Sequence, residues 1–184
     1  MNQSVDQTQG THFSLPARVL HWLMAAGILA MLFIGVGMVA SVSEQHTWLL
    51  TIHKPLGATL LLLVCLRLIV RLVKGTPPLP ADLPAWQRSA ALASHWLLYL
   101  LMFAMPLIGW AMVSASGTPV TLIGAWALPA IAPENAGVFA VLRAAHRYLA
   151  YLLFATVLLH LAAGLFHGLI RRDGVLRSML SNRA

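Results

Sequence analysis

Eight histidines stand in a chain that carries only five aspartates and glutamates, and imidazole is the side chain most often used to hold a transition metal. His12 and His46 lie in polar flanks and read as solvated loop residues. The other six, His21, His53, His95, His146, His160 and His167, fall inside or at the ends of long apolar runs. Ionisable groups in such runs mark function by default. A single one would read as an interhelical hydrogen bond; six of them among so few acids read as a ligand set. Carboxylates are nearly absent from the apolar runs, which argues against a di-iron carboxylate bundle. No H-x-x-x-H pair occurs, the one-turn spacing that zinc sites often use. His146 and His160 instead stand 14 residues apart. On a helix that is about 21 Å of rise, and the two fall within roughly 40° of one face. One helix can therefore offer an axial imidazole to each of two stacked haems, with partners on other helices.

The elements that must position these residues follow from composition. Of 184 residues, 59% are hydrophobic and 9% charged, where soluble domains carry roughly 25% charge. The mean hydropathy is +0.79. Neither a soluble monomer nor a disordered chain fits those figures. The net charge of +7 raises nucleic acid as a partner, but the basic residues are sparse and no aromatic residues interleave with them, so none is expected. A bilayer accounts for both facts. Four runs reach the roughly 20 residues needed to cross about 30 Å of hydrocarbon: about 19–40, 49–73, 90–114 and 138–170. They lack strand alternation and are expected to be helices. The fold class is thus all-α, a membrane-embedded four-helix bundle, with residues 1–184 as one transmembrane domain.

Ser41 to Trp48 is short enough to make the first two helices antiparallel neighbours. Gly75 to Pro84 (GTPPLPADLP) reads as a polyproline-like link. Gly117 to Ala136, with Pro119, Pro129 and Pro133, reads as an ordered loop on the membrane surface, and Pro106 is expected to kink the third helix. Near one set of helix ends stand Arg18, Arg67, Arg71, Lys74, Arg88, Arg171, Arg172, Arg177 and Arg183; near the other, Lys54, Arg143 and Arg147. That asymmetry puts both termini in the cytoplasm. The first 12 residues hold Asp6 and no Lys or Arg, and the apolar run behind them exceeds the usual 7–15 residues of a signal sequence, so a retained helix is expected. The single cysteine, Cys65, excludes an internal disulfide, and without C-x-x-C-H no haem is attached covalently.

Depth then suggests the pairs. His53 is expected to open helix 2 at the outer side, level with His146. His21 opens helix 1 at the inner side, in the leaflet of His160. His95 competes with His21, and depth does not separate them. His167 competes with His160, but it stands 21 residues from His146, about 31 Å along the helix, a poor spacing for electron transfer. Helical side chains lean toward the N-terminus, so residue i+4 covers the space beside residue i. After His21, His53, His146 and His160 that residue is Ala25, Gly57, Ala150 or Gly164; after His12, His46, His95 and His167 it is Pro16, Leu50, Tyr99 or Arg171. A porphyrin has room beside the first four only, although the i−4 positions show no such split. For haem propionates, Lys54, Arg143 and Arg147 can serve the outer level, Arg18 and Arg67 the inner. Arg67 follows His53 by 14 residues and so points toward the lower site.

R-V-L-H-W (18–22), I-H-K-P-L-G (52–57) followed by R-L-I-V-R-L (67–72), S-H-W-L-L-Y-L-L (94–101), A-H-R (145–147) and H-L-A-A-G-L-F-H (160–167) together resemble bacterial cytochrome b561. That family is related to the cytochrome b subunits of hydrogenases and formate dehydrogenases. The resemblance spans about residues 14–180. It implies two non-covalent b haems with bis-histidine ligation, location in the bacterial inner membrane and electron exchange with a quinone. It also picks His21 and His160 as inner ligands over His95 and His167, which it leaves for quinone or proton chemistry. The apolar, proline-containing loop 119–133 departs from the family pattern.

The function expected is transmembrane electron transfer from an outer-face donor, superoxide being one that the resemblance implies, to ubiquinone. That would make the chain a quinone-linked oxidoreductase. The alternative is a haem-carrying anchor and relay subunit of a larger dehydrogenase. A haem-free proton or metal-ion transporter fits poorly, since the spans offer almost no carboxylate. The partners expected are membrane lipid, quinone and the electron donor, with a second copy of the chain in a homodimer as a further candidate.

Overall fold

A computed structural model describes residues 12–122 and 126–180. Four helices are long and apolar enough to cross a membrane: α1 (Leu15–Ala40), α2 (Glu44–Lys74), α3 (Ala85–Ala115) and α4 (Ala136–Leu165). A π-helical turn, Phe166–Arg171, continues α4, and a short helix α5 (Val175–Leu180) follows. Arg183 of the charge count lies outside the described residues.

Local chemistry sets the ends. Pro16 occupies the first turn of α1, where a missing N–H costs nothing. Gly75 closes α2 with φ 70° and returns its N–H to the Arg71 carbonyl, a left-handed conformation that favours glycine. The Asn135 side chain accepts the Val138 N–H and caps α4. Pro55 and Pro106 lie inside α2 and α3, which remain continuous through them.

The helices are longer than the apolar runs. α2 begins at Glu44, so the connection after α1 shrinks to Ser41–Ser43 and His53 sits more than two turns into the helix instead of opening it. Polar residues 44–47 keep the i→i−4 ladder beyond the apolar run; hydropathy locates the lipid boundary, not the helix end. α3 and α4 likewise start earlier than the apolar pattern indicates.

The loop after α3 holds a small antiparallel hairpin, β1 (Val120–Thr121) with β2 (Ala127–Leu128), pairing Val120 with Leu128 and Thr121 with Ala127. It is tied down by the Trp110 indole N–H on the Pro129 carbonyl, by the Ile131 N–H on Ser114 Oγ and by the Asn135 N–H on the Ala115 carbonyl. A helical bundle therefore carries one β element at this end.

Packing is uneven. α1 and α2 form one close pair, α3 and α4 another, and α2 meets α3 more sparsely, while neither α1 nor α2 packs closely on α4. Two small buried clusters hold the pairs: Met24, Val64 and Tyr99, and Leu98, Leu101 and Leu153. Large apolar side chains such as Phe33, Leu72, Leu159 and Ile170 point outward, as expected of helices solvated by lipid tails.

Candidate functional site

The gap between the α1–α2 pair and α4 is crossed by imidazoles. His53 on α2 faces His146 on α4 with ring centres 6.2 Å apart and ring planes at 64°. His21 on α1 faces His160 on α4 at 6.2 Å and 66°. The two pairs share one geometry, repeated along α4. Imidazole nitrogens take first-row metal ions at about 2 Å, and the ring centre lies about 1.1 Å behind the nitrogen, so two rings holding one ion between them stand about 6.2 Å apart.

All four rings are partly buried. The Nδ1 atom of His53 is shielded from solvent and has no hydrogen-bond partner, a costly state for a buried polar atom unless something else satisfies the ring, whereas the His146 ring lies within reach of the Met105 backbone. Among the described residues no three His, Cys, Asp or Glu converge on a closed metal cage. A donor set of two opposed imidazoles would suit the iron of a haem. The space beside the rings is consistent with that. A Cβ added at Gly164 meets nothing within 4 Å, and one at Gly57 meets only Met31 Cε at 3.7 Å. The Gly109 backbone backs the His146 ring, where an added Cβ would stand 3.3 Å from Cε1.

His95 lies near the inner pair, its ring centre 5.6 Å from that of His160. Depth leaves His21 and His95 equivalent, and the structure brings both to His160. They differ in spacing and in neighbourhood: His95 is closer than an ion between two rings requires, and Tyr99, one turn on, is buried in the Met24 cluster. His167 turns away from the other histidines. Its Nδ1 pairs with Asp173 Oδ2 at 2.5 Å, Asp173 Oδ2 also lies 2.9 Å from Arg171 Nε as an ion pair, and Arg171 reaches Asp82 Oδ2 at 2.7 Å. Asp173 and Asp82 are partners that spacing along one helix does not reveal.

Of the cations, Arg67 donates through Nη1 to the Ala17 carbonyl at 2.8 Å and lies within electrostatic reach of His21, His95 and His160. It is thus at the inner histidine cluster. Arg18 is partly buried, as is Lys54, whereas Arg143 and Arg147 are exposed. His46 is not a free loop residue: its Nδ1–H donates to the Met38 carbonyl at 2.9 Å and ties the start of α2 to the end of α1. His12 also departs from the solvated reading, because its Nδ1 is shielded.

The sequence is similar to those of known proteins. The family described as prokaryotic cytochrome b561 matches residues 12–182. The chain is 30% identical over 172 residues to cytochrome b561 homolog 2 of Escherichia coli (strain K12), covering 91% of this chain and 90% of the relative. It is 27% identical over 179 residues to cytochrome b561 homolog 1 of the same organism, at 93% and 98% coverage. A third relative, named probable superoxide oxidase CybB, of Yersinia pestis, is 29% identical over 165 residues, at 89% and 93% coverage. With four membrane-crossing helices and a match that runs over nearly all of it, the chain belongs to the prokaryotic cytochrome b561 family.

Proposed function

We propose that the chain carries electrons between two haem levels in a bacterial membrane, from a donor at the outer face to a quinone. The observation that carries this reading is the repeated 6.2 Å separation of two histidine pairs along α4. His53 and His146 hold the outer haem b and His21 and His160 the inner one, both without covalent attachment. Bound haem iron supplies a one-electron couple, which suits relay between a donor and a two-electron quinone. Both levels would draw a ligand from one helix, 14 residues or about 21 Å apart.

Each residue has a defined task. The four histidines would hold the two haems through their irons. Gly57 and Gly164, with Ala25 and Ala150, leave flat space beside them. Lys54, Arg143 and Arg147 give the outer face positive potential, which favours an anionic donor and the propionates of the outer haem. Arg18 and Arg67 do the same at the inner level. His167, in contact with Asp173, holds or releases a proton where quinone chemistry needs one, and His95 is a second candidate for that role. The name of the Yersinia pestis relative supports superoxide as donor. Two superoxide anions then leave as dioxygen while one quinone takes up two electrons and two protons. The excess of Lys and Arg near one set of helix ends supports cytoplasmic termini, with the outer pair facing the other side.

The test is made on detergent-purified protein. A pyridine haemochrome assay should return two haems b per chain, and one or none removes the proposal. Stopped-flow reduction with superoxide, then with a quinol, distinguishes donor from acceptor. Rapid reduction by superoxide followed by quinone-dependent reoxidation is expected; failure of both reagents to change the spectrum rejects the assigned reaction.

A further inference from the structure

At the inner end a small cleft opens between α1, α2 and α3, lined by Phe13, Ala17, Arg67, Arg71, Thr76 and Tyr99. Two guanidinium groups enter it from successive turns of α2. Arg67 is fixed by the Ala17 carbonyl. Arg71 lies over the Tyr99 ring, 5.4 Å from its centre, a cation–π contact that holds a cation in place and leaves its charge unneutralised. Neither arginine has a carboxylate partner among the described residues. The described acids of this end, Asp82 and Asp173, are both taken by Arg171. Two partly buried cations side by side without an anion repel one another at low dielectric. Such an arrangement persists when a bound oxyanion compensates it, and paired guanidinium groups bind carboxylate or phosphate well. The volume of the cleft, about 20 Å³, suits the end of a chain, not a whole ligand.

We propose that this cleft is an oxyanion site formed by Arg67 and Arg71 and positioned by Tyr99, and that it receives a propionate carboxylate of the inner haem. The assignment rests on the di-haem reading above. It places a second arginine at the inner site and gives Tyr99 a positioning role through Arg71. The location suits a propionate because Arg67 reaches His21 and His160 electrostatically while Arg71 stands one turn closer to the end of α2. A lipid phosphate at the membrane surface has the same chemistry and is the rival occupant.

Redox titration of purified R71Q, R71K and Y99L, with haem content measured on each, tests the assignment. H160A and H146A identify which spectral component belongs to which level. The parent must first show two haems; fewer would remove the di-haem reading itself, independently of this cleft. Loss of a cation beside a haem favours its oxidised form, so R71Q should lower the midpoint potential of the inner component alone. R71K should restore most of it, and Y99L, which removes the aromatic face, should give a smaller shift in the same direction. An R71Q protein with two haems and both potentials unchanged overturns the assignment. A shift that appears in vesicles containing phosphatidylglycerol and vanishes in pure phosphatidylcholine also overturns it, by giving the cleft to lipid. If R71Q loses both haems through misfolding, Y99L decides: a parental inner potential in a two-haem Y99L protein rejects the proposal.

Discussion

Each membrane histidine is distinguished by the neighbours it keeps. His146 and His160 are opposed by single imidazoles at equal distance, whereas His95 approaches His160 more closely and His167 is held by a carboxylate. If the first four are ligands, removing one should empty only its own level. H146A and H160A are each expected to retain one haem per chain by pyridine haemochrome, half the parental content. H95A should retain two. A two-haem H160A together with a one-haem H95A would exchange the roles of His21 and His95. His46, bonded to Met38, is structural, and its loss should leave haem content unchanged.

At the scale of the element, α4 carries most of the design. It provides one histidine to each level from a single face, and it leaves open space beside Gly164. Filling that space tests whether a macrocycle occupies it. G164L should lose the inner haem while keeping the outer one, read as a one-haem protein with a parental outer potential. In lipid-facing or empty space a leucine is harmless, and both haems would remain. Beyond α4 the chain turns back through Arg172 and Gly174, both at positive φ. The Trp22 indole N–H donates to the Met179 carbonyl and joins α5 to α1. Gly168 is packed against Leu176 so closely that an added Cβ would overlap it. G168V should therefore destabilise this end by about 1–3 kcal/mol, the usual cost of overpacking, measured as a lower thermal midpoint in detergent.

Across the whole molecule, two helical pairs stand apart, with the histidine rings between them. Helix pairs that bury little of one another gain only weakly from association in lipid, so a cofactor gripped from both sides should bind the pairs together. The haem-loaded protein is expected to unfold at a higher temperature than protein expressed under haem limitation, since a ligand specific for the folded state stabilises it. Orientation is a property of the same scale. In a C65A background, S116C at the hairpin end should react with a membrane-impermeant maleimide in intact spheroplasts, and R177C only after lysis. The reverse pattern would invert the assigned sidedness.

The chain's hydropathy determines by itself that four helices cross the membrane, because no other backbone arrangement without a closed barrel satisfies its polar groups in hydrocarbon. The 14-residue interval between His146 and His160 likewise determines that both lie on one face, since helical geometry is fixed. Local sequence does not determine where α2 begins: residues 44–47 are polar, yet water does not break an established helix, and His53 lies well inside it. The β1–β2 hairpin is equally illegible, held by bonds from Trp110 and Ser114 to residues 17–19 positions away. The approach of His21 and His95 to one partner is decided only in three dimensions. Both lie at similar depth on neighbouring helices, and the separations of 6.2 Å and 5.6 Å depend on how the helix pairs are spaced. Contacts between distant segments set that spacing, and no periodicity within one segment encodes it.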